Sequence, residues 1–138
     1  MLGRIHHVAY VVADMDAALE RLGATFGLRP ALREVMADQG VEAALCGPAG
    51  AAVELIRPLD ADGAIARFLD ARGEGLHHVA FEVDDLDAAL ADLRARGAEL
   101  IDERPRHGLG GHRVAFVHPR SANGVLTELV EAEGGGGH

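Results

Sequence analysis

His6-His7-Val8-Ala9-Tyr10 is matched 71 residues later by His77-His78-Val79-Ala80-Phe81, and this pair of stretches decides the architecture. The residues that follow repeat as well. Asp14-Met15-Asp16-Ala17-Ala18-Leu19 returns as Asp85-Leu86-Asp87-Ala88-Ala89-Leu90, at the same offset and without a gap. Later in each half, Val53-Glu54-Leu55 is echoed by Thr127-Glu128-Leu129. A self-match at one fixed offset marks two copies of a single supersecondary unit.

Each copy reads strand, helix, then strands. Ile5 to Val12 is apolar and β-branched, which favours a strand. Asp14 and Asp16 offer N-caps to a helix through Ala17, Ala18, Leu19 and Leu22 that ends near Gly23 or Gly27. Leu32 to Met36, Val41 to Cys46 and Ala51 to Ile56 then read as strands broken by Asp-Gln-Gly and Gly-Pro-Ala-Gly turns. A helix over 62–71, stopped by Gly73 and Gly75, links the copies. The second copy reads as a strand at 76–83, a helix at 85–96, and strands near 98–101, 113–117 and 125–130. The expected fold class is α+β: two paired βαβββ modules, about 3–60 and 75–131, within a single domain 1–133. Gly134 to His138 reads as a disordered tail.

Strand alternation assigns faces. His7 shares a face with Ile5, Ala9 and Val11, while His6, Val8, Tyr10 and Val12 point the other way. His78 shares a face with Ala80 and Glu82, opposite His77, Val79, Phe81 and Val83. The bulky faces suit packing under the helices, and the faces carrying Ala9 and Ala80 leave room beside a histidine. Glu54 and Glu128 sit in apolar strands, where an unpaired carboxylate is costly to bury. Their spacings from the histidines are similar, 47 residues from His7 to Glu54 and 50 from His78 to Glu128. Two imidazoles and two carboxylates at repeat-related positions satisfy one another around a divalent cation. The metal ligands expected from this pattern are His7, Glu54, His78 and Glu128, with His6 and His77 as adjacent decoys.

Composition narrows the function. The formal net charge of −9 argues against a nucleic-acid partner, whose phosphates need clustered Lys and Arg. No apolar run approaches a membrane span, and the start lacks the apolar stretch of an export signal, so a cytoplasmic location is expected. Cys46 is the single cysteine, read as a small buried strand residue. One basic island, containing Arg104, Arg106, His107, His112, Arg113, His118 and Arg120, reads either as a site for a small anionic ligand or as a solvated charged loop. Within it, His107-Gly108-Leu109-Gly110-Gly111-His112 reads as a turn, or as a flap whose amides approach the substrate.

The chain resembles the vicinal oxygen chelate superfamily and, within it, the methylmalonyl-CoA epimerase family. The resemblance runs from Ile5 to Glu131. It is carried by Ile5-His6-His7-Val8-Ala9, Asp38-Gln39-Gly40-Val41, Val53-Glu54-Leu55-Ile56-Arg57-Pro58-Leu59 and Gly73-Glu74-Gly75-Leu76-His77-His78. His118-Pro119-Arg120-Ser121 and Gly124-Val125-Leu126-Thr127-Glu128-Leu129 add to it. It implies a cup-shaped mixed sheet with flanking helices around a divalent ion held by His7, Glu54, His78 and Glu128, and it implies a homodimer. Cobalt is the first expectation for the metal, with manganese, nickel, zinc and magnesium as the other candidates.

The implied reaction is a 1,1-proton transfer at C2 of methylmalonyl-CoA through a metal-stabilised enolate. Glu128 is the expected base. The second base is open, because some family members carry a glutamate where this chain has Ala43. Glu42 through a local bulge, Glu54 or a positioned water are the choices. Two departures from the family pattern are His6, in a position usually held by Asp, and the absence of an aromatic pair at Arg21-Leu22. The basic island would suit the CoA phosphates or the free carboxylate. The alternatives are a glyoxalase I-like lyase acting on a glutathione hemithioacetal and a metal-free small-molecule binding protein of the same fold.

Overall fold

The computed structural model describes residues 1–133, and the expected disordered tail lies outside the described residues. Eight strands and three α-helices are present among the described residues, an α+β fold. In chain order they are β1 (Ile5–Val11), α1 (Met15–Phe26), β2 (Pro30–Met36), β3 (Val41–Cys46), β4 (Ala52–Pro58) and α2 (Ala64–Arg72). The second half carries β5 (Gly75–Val83), α3 (Leu86–Ala95), β6 (Arg106–His107), β7 (Arg113–Val117) and β8 (Thr127–Glu131). The chain divides into two compact units, one of residues 7–77 and one of residues 1–6 with those from His78 onward. No helix among the described residues is long and apolar enough to cross a membrane.

In the unit of residues 7–77 the strands lie in the order β2-β3-β4-β1. β1 and β4 are parallel, with Ala9 opposite Glu54, and β3 and β4 are antiparallel, with Leu45 opposite Glu54. Helix α1 starts where Asp14 accepts a hydrogen bond from the Ala17 amide at 3.0 Å. It stops at Gly27, whose φ of 71° is open to glycine at little cost. Its Met15, Ala18, Leu19 and Leu22 cover Tyr10, Val12, Ala44, Val53 and Leu55. On the opposite face Ala9, Val41 and Ile56 pack with Met36 and with Ile65 of α2.

The other unit follows the same plan, in the order β5-β8-β7-β6. β5 and β8 are parallel, with Ala80 opposite Glu128, and Phe116 of β7 is the antiparallel partner of Glu128. Asp85 caps α3 through the Ala88 amide at 3.0 Å, repeating the Asp14 cap. Leu86, Ala89, Leu90 and Leu93 of α3 seal a cluster with Phe81, Val83, Ala115, Val117 and Leu129. Ala80, Val114 and Val130 pack on the other face.

Most expected elements are found within two residues of their expected ends, and one is not. The strand expected near 98–101 reduces to a single bridge between Leu100 and Val117. Here Ile101 and Asp102 both donate backbone hydrogen bonds to the Phe116 carbonyl. The Phe116 amide in turn goes to the Asp102 carboxylate at 2.8 Å, so a side chain takes the ladder's place. The strand that pairs with β7 is β6 instead.

Candidate metal and substrate site

In each unit the expected ligands lie on the sheet face opposite the one that α1 or α3 covers. His7 and Glu54 are 4% and 8% exposed, and His78 and Glu128 are 4% and 7% exposed. Ala9 and Ala80, the small residues on those faces, are fully buried. Burial of this degree for carboxylates and imidazoles is sustained only by partners of matching chemistry.

The partners are one another. His7 Nε2 stands 3.7 Å from Glu54 Oε1 within its unit, and His78 Nε2 stands 3.2 Å from Glu128 Oε1 within the other. A charge-assisted hydrogen bond would be about 2.7–2.9 Å, so both separations are long for one. Two donors bound to one ion at about 2.1 Å stand about 3 Å apart at a right angle and about 3.4 Å apart at the tetrahedral angle. The His78–Glu128 separation falls in this range, and the His7–Glu54 separation of 3.7 Å lies slightly beyond it. The structure thus pairs His7 with Glu54 in one unit and His78 with Glu128 in the other.

The adjacent histidines make ring contacts within their own units. The His6 ring meets His112 edge-on at 5.9 Å, and the His77 ring meets Phe68 at 5.0 Å. Cys46 is fully buried in β3, where desolvation pushes its thiol pKa up, as a structural cysteine requires.

Glu42 is corrected as a candidate base. β3 runs in unbroken register against β4, with Glu42 opposite Arg57, so no bulge turns it toward Glu54. Its carboxylate is clamped by Arg33 Nε and Arg57 Nε, each at 2.8 Å. The hydrogen bond from Arg33 holds its pKa below the ordinary glutamate value against the opposing effect of burial, and the bond from Arg57 adds to the lowering. A carboxylate so stabilised in its charged form is a poor proton acceptor. Ala43, by alternation, lies on the Glu54 face.

The basic island is largely neutralised. Arg113 reaches Asp87 at 2.8 Å and Glu131 at 3.0 Å, and Arg120 reaches Glu99 at 3.1 Å. His118 Nδ1 accepts the Arg120 amide, and its Nε2 lies 3.5 Å from Glu99. The stretch from His107 to His112 is a turn. The Gly108 amide donates to the His112 carbonyl and the Gly111 amide to the Gly108 carbonyl, so both are spent within it, and Leu109 plugs the core. One contact escapes inspection of the sequence: Phe116 stands edge-on to His78 at 5.1 Å, and Arg106 lies over the same phenyl ring. Only the β7–β8 register, which puts Phe116 opposite Glu128, could have found it.

Known proteins are similar to this chain over nearly its whole length. The chain is 35% identical over 133 residues to the ethylmalonyl-CoA/methylmalonyl-CoA epimerase of Cereibacter sphaeroides, covering 95% of this chain and 99% of that one. It matches the crystal structure of methylmalonyl-CoA epimerase from Mycobacterium tuberculosis with a TM-score of 0.89 at 40% identity, over 94% of this chain and 88% of that one. A methylmalonyl-CoA epimerase in complex with methylmalonyl-CoA and NH4+ matches with a TM-score of 0.90 at 38% identity, over 96% of each chain. Residues 6–116 match the family model of the Glyoxalase/Bleomycin resistance protein/Dioxygenase superfamily. Near-complete coverage at these identities, together with the repeated His–Glu geometry, means that the chain belongs to that superfamily.

Proposed function

We propose that this protein is an epimerase that interconverts the two configurations of methylmalonyl-CoA at C2. The observation that carries the reading is the buried His–Glu pair repeated in each unit on the sheet face opposite α1 or α3, in a chain with methylmalonyl-CoA epimerases among its relatives. The two units act as one domain, and His7, Glu54, His78 and Glu128 together hold one divalent ion, cobalt first among the candidates. Bound there, the ion supplies positive charge that stabilises the enolate of the substrate.

The side chains do the rest. Glu128 takes the C2 proton from one face and, when the reaction runs in reverse, delivers a proton to that face, its carboxylate kept within reach by the β8 backbone. With Glu42 locked to two arginines, the proton on the other face is handled by Glu54 or by a water held at the site. The apolar residues Ala80, Val114 and Val130 beside Glu128 exclude bulk water, which favours a carbanion-like species over random protonation. The active form is a homodimer in the cytoplasm.

The test is deuterium exchange. Methylmalonyl-CoA in D2O should gain one deuterium at C2 in the presence of the metal-loaded protein. Exchange no faster than with the metal alone, together with turnover of a glutathione hemithioacetal, would move the protein to the glyoxalase reaction. Elemental analysis showing no stoichiometric metal would make it a binding protein.

A further inference from the structure

Arg106 differs from Arg113 and Arg120 of the basic island. Arg113 and Arg120 contact carboxylates at 2.8–3.1 Å, whereas the nearest carboxylate to Arg106 among the described residues is Asp102, 3.4 Å from its Nε. That Asp102 oxygen already accepts the Phe116 amide at 2.8 Å. The Arg106 guanidinium lies over the Phe116 ring, its Cζ 5.1 Å from the centroid, and the side chain is 43% exposed. A cation seated on an aromatic face is held in place while its donors stay available.

Its position is fixed by strand register. Arg106 is the partner of Val114, and Phe116 is the partner of Glu128, so Arg106, Val114, Phe116 and Glu128 share one face of the sheet. Phe116 meets His78 at 5.1 Å, so one phenyl ring bridges a cation and a candidate ligand, and the guanidinium carbon is within about 10 Å of the His78 ring.

We infer that Arg106 receives the free carboxylate of the substrate and so selects 2-carboxyacyl thioesters over plain acyl thioesters. The inference rests on the epimerase reading and extends it to a specificity residue. The carbon that exchanges its proton must lie beside Glu128, and the carboxylate is bonded directly to that carbon. The CoA phosphates lie the whole pantetheine arm away. A planar guanidinium one phenyl ring from His78 therefore meets the carboxylate, and its fork matches the two carboxylate oxygens.

The test compares two ligands that differ in this group alone. Binding of malonyl-CoA and of acetyl-CoA to the metal-loaded protein is measured by calorimetry for the wild type, Arg106→Ala and Arg106→Lys. In Arg106→Ala the malonyl-CoA dissociation constant should rise roughly 10- to 100-fold while that for acetyl-CoA stays within about twofold. Arg106→Lys keeps the charge without the fork and should show an intermediate loss; it carries the test if the alanine variant does not fold. Equal weakening of both ligands would assign Arg106 to the CoA moiety and overturn the inference, as would no weakening of either. C2 exchange of methylmalonyl-CoA by the wild type, run alongside, separates the two claims. Exchange with an unchanged malonyl preference in the variants sinks the Arg106 role alone, whereas absence of exchange sinks the epimerase reading.

Discussion

The two units are built from one pattern but are not equally sealed. Leu19 of α1 and Leu90 of α3 are repeat equivalents, yet Leu90 is 1% exposed and Leu19 only half-buried. Met15 is the single buried residue of α1, whereas α3 buries Leu86, Ala89 and Leu90. The His–Glu pairs diverge in the same sense, 3.7 Å for His7–Glu54 against 3.2 Å for His78–Glu128. Some features are shared. The Asp14 and Asp85 caps are alike, and an arginine ties the first turn of each helix to the sheet: Arg33 to Asp16, and Arg113 to Asp87. Duplication has kept donors, caps and clamps, and has let packing drift. Chemistry needs particular atoms, while packing needs only volume.

The largest test of this comparison is on the His–Glu pairs. Glu128→Ala should lower C2 exchange by about 10³-fold, a loss within the usual range for a general base, and should weaken metal retention in equilibrium dialysis. Glu54→Ala should weaken metal retention as well. If Glu54→Ala leaves exchange intact while Glu128→Ala removes it, only one half carries a base. Equal losses would make the halves symmetric in chemistry as well as in ligation.

The helices give the next effect. Leu90→Ala should cost about 3 kcal/mol in denaturant unfolding, and Leu19→Ala about 1–2 kcal/mol, because Leu19 is only partly buried. Equal costs would show that the drift in packing has no energetic weight.

A smaller effect is expected at Glu42. Glu42→Gln should cost on the order of 1 kcal/mol at neutral pH, since its arginine partners are a third exposed and rehydrate readily. The folded carboxyl titrates below its unfolded value of 4.5, so its contribution is whole above that pH and is lost as the pH falls through the folded value. The stability gap between wild type and variant should therefore close in acid, as read from urea midpoints across the pH range. A gap that widened in acid would contradict the clamp. Smallest of all, His6→Ala should change exchange and metal content by less than about twofold, the usual range for a side chain outside the site. A loss comparable to that of Glu128→Ala would put the ligands on the wrong histidine.

What was legible in the residues follows from periodicity. The repeat, the two Asp caps and the alternation of His7 with Ala9 and of His78 with Ala80 are local regularities, and the strand faces they imply are those observed. Glu42 was legible only as a carboxylate near an unfilled position, since Arg33 and Arg57 are 9 and 15 residues away along the chain. The strand expected near Leu100 failed for a related reason. Its apolar run is genuine, but Asp102 competes for the Phe116 amide, and propensity does not register a side chain that replaces a ladder bond.

The sequence by itself determined the two modules, the four candidate ligands and their faces, because these depend on spacings of two residues along a strand or of one repeat. Tertiary structure alone decided which charges are spent. Glu42, Arg113 and Arg120 are closed by partners that pairing of distant strands and loops brings within 3.1 Å, whereas Arg106 is left on an aromatic ring. Whether a charged side chain is neutralised or available depends on distances across the fold, and those are set by strand register and not by any local pattern.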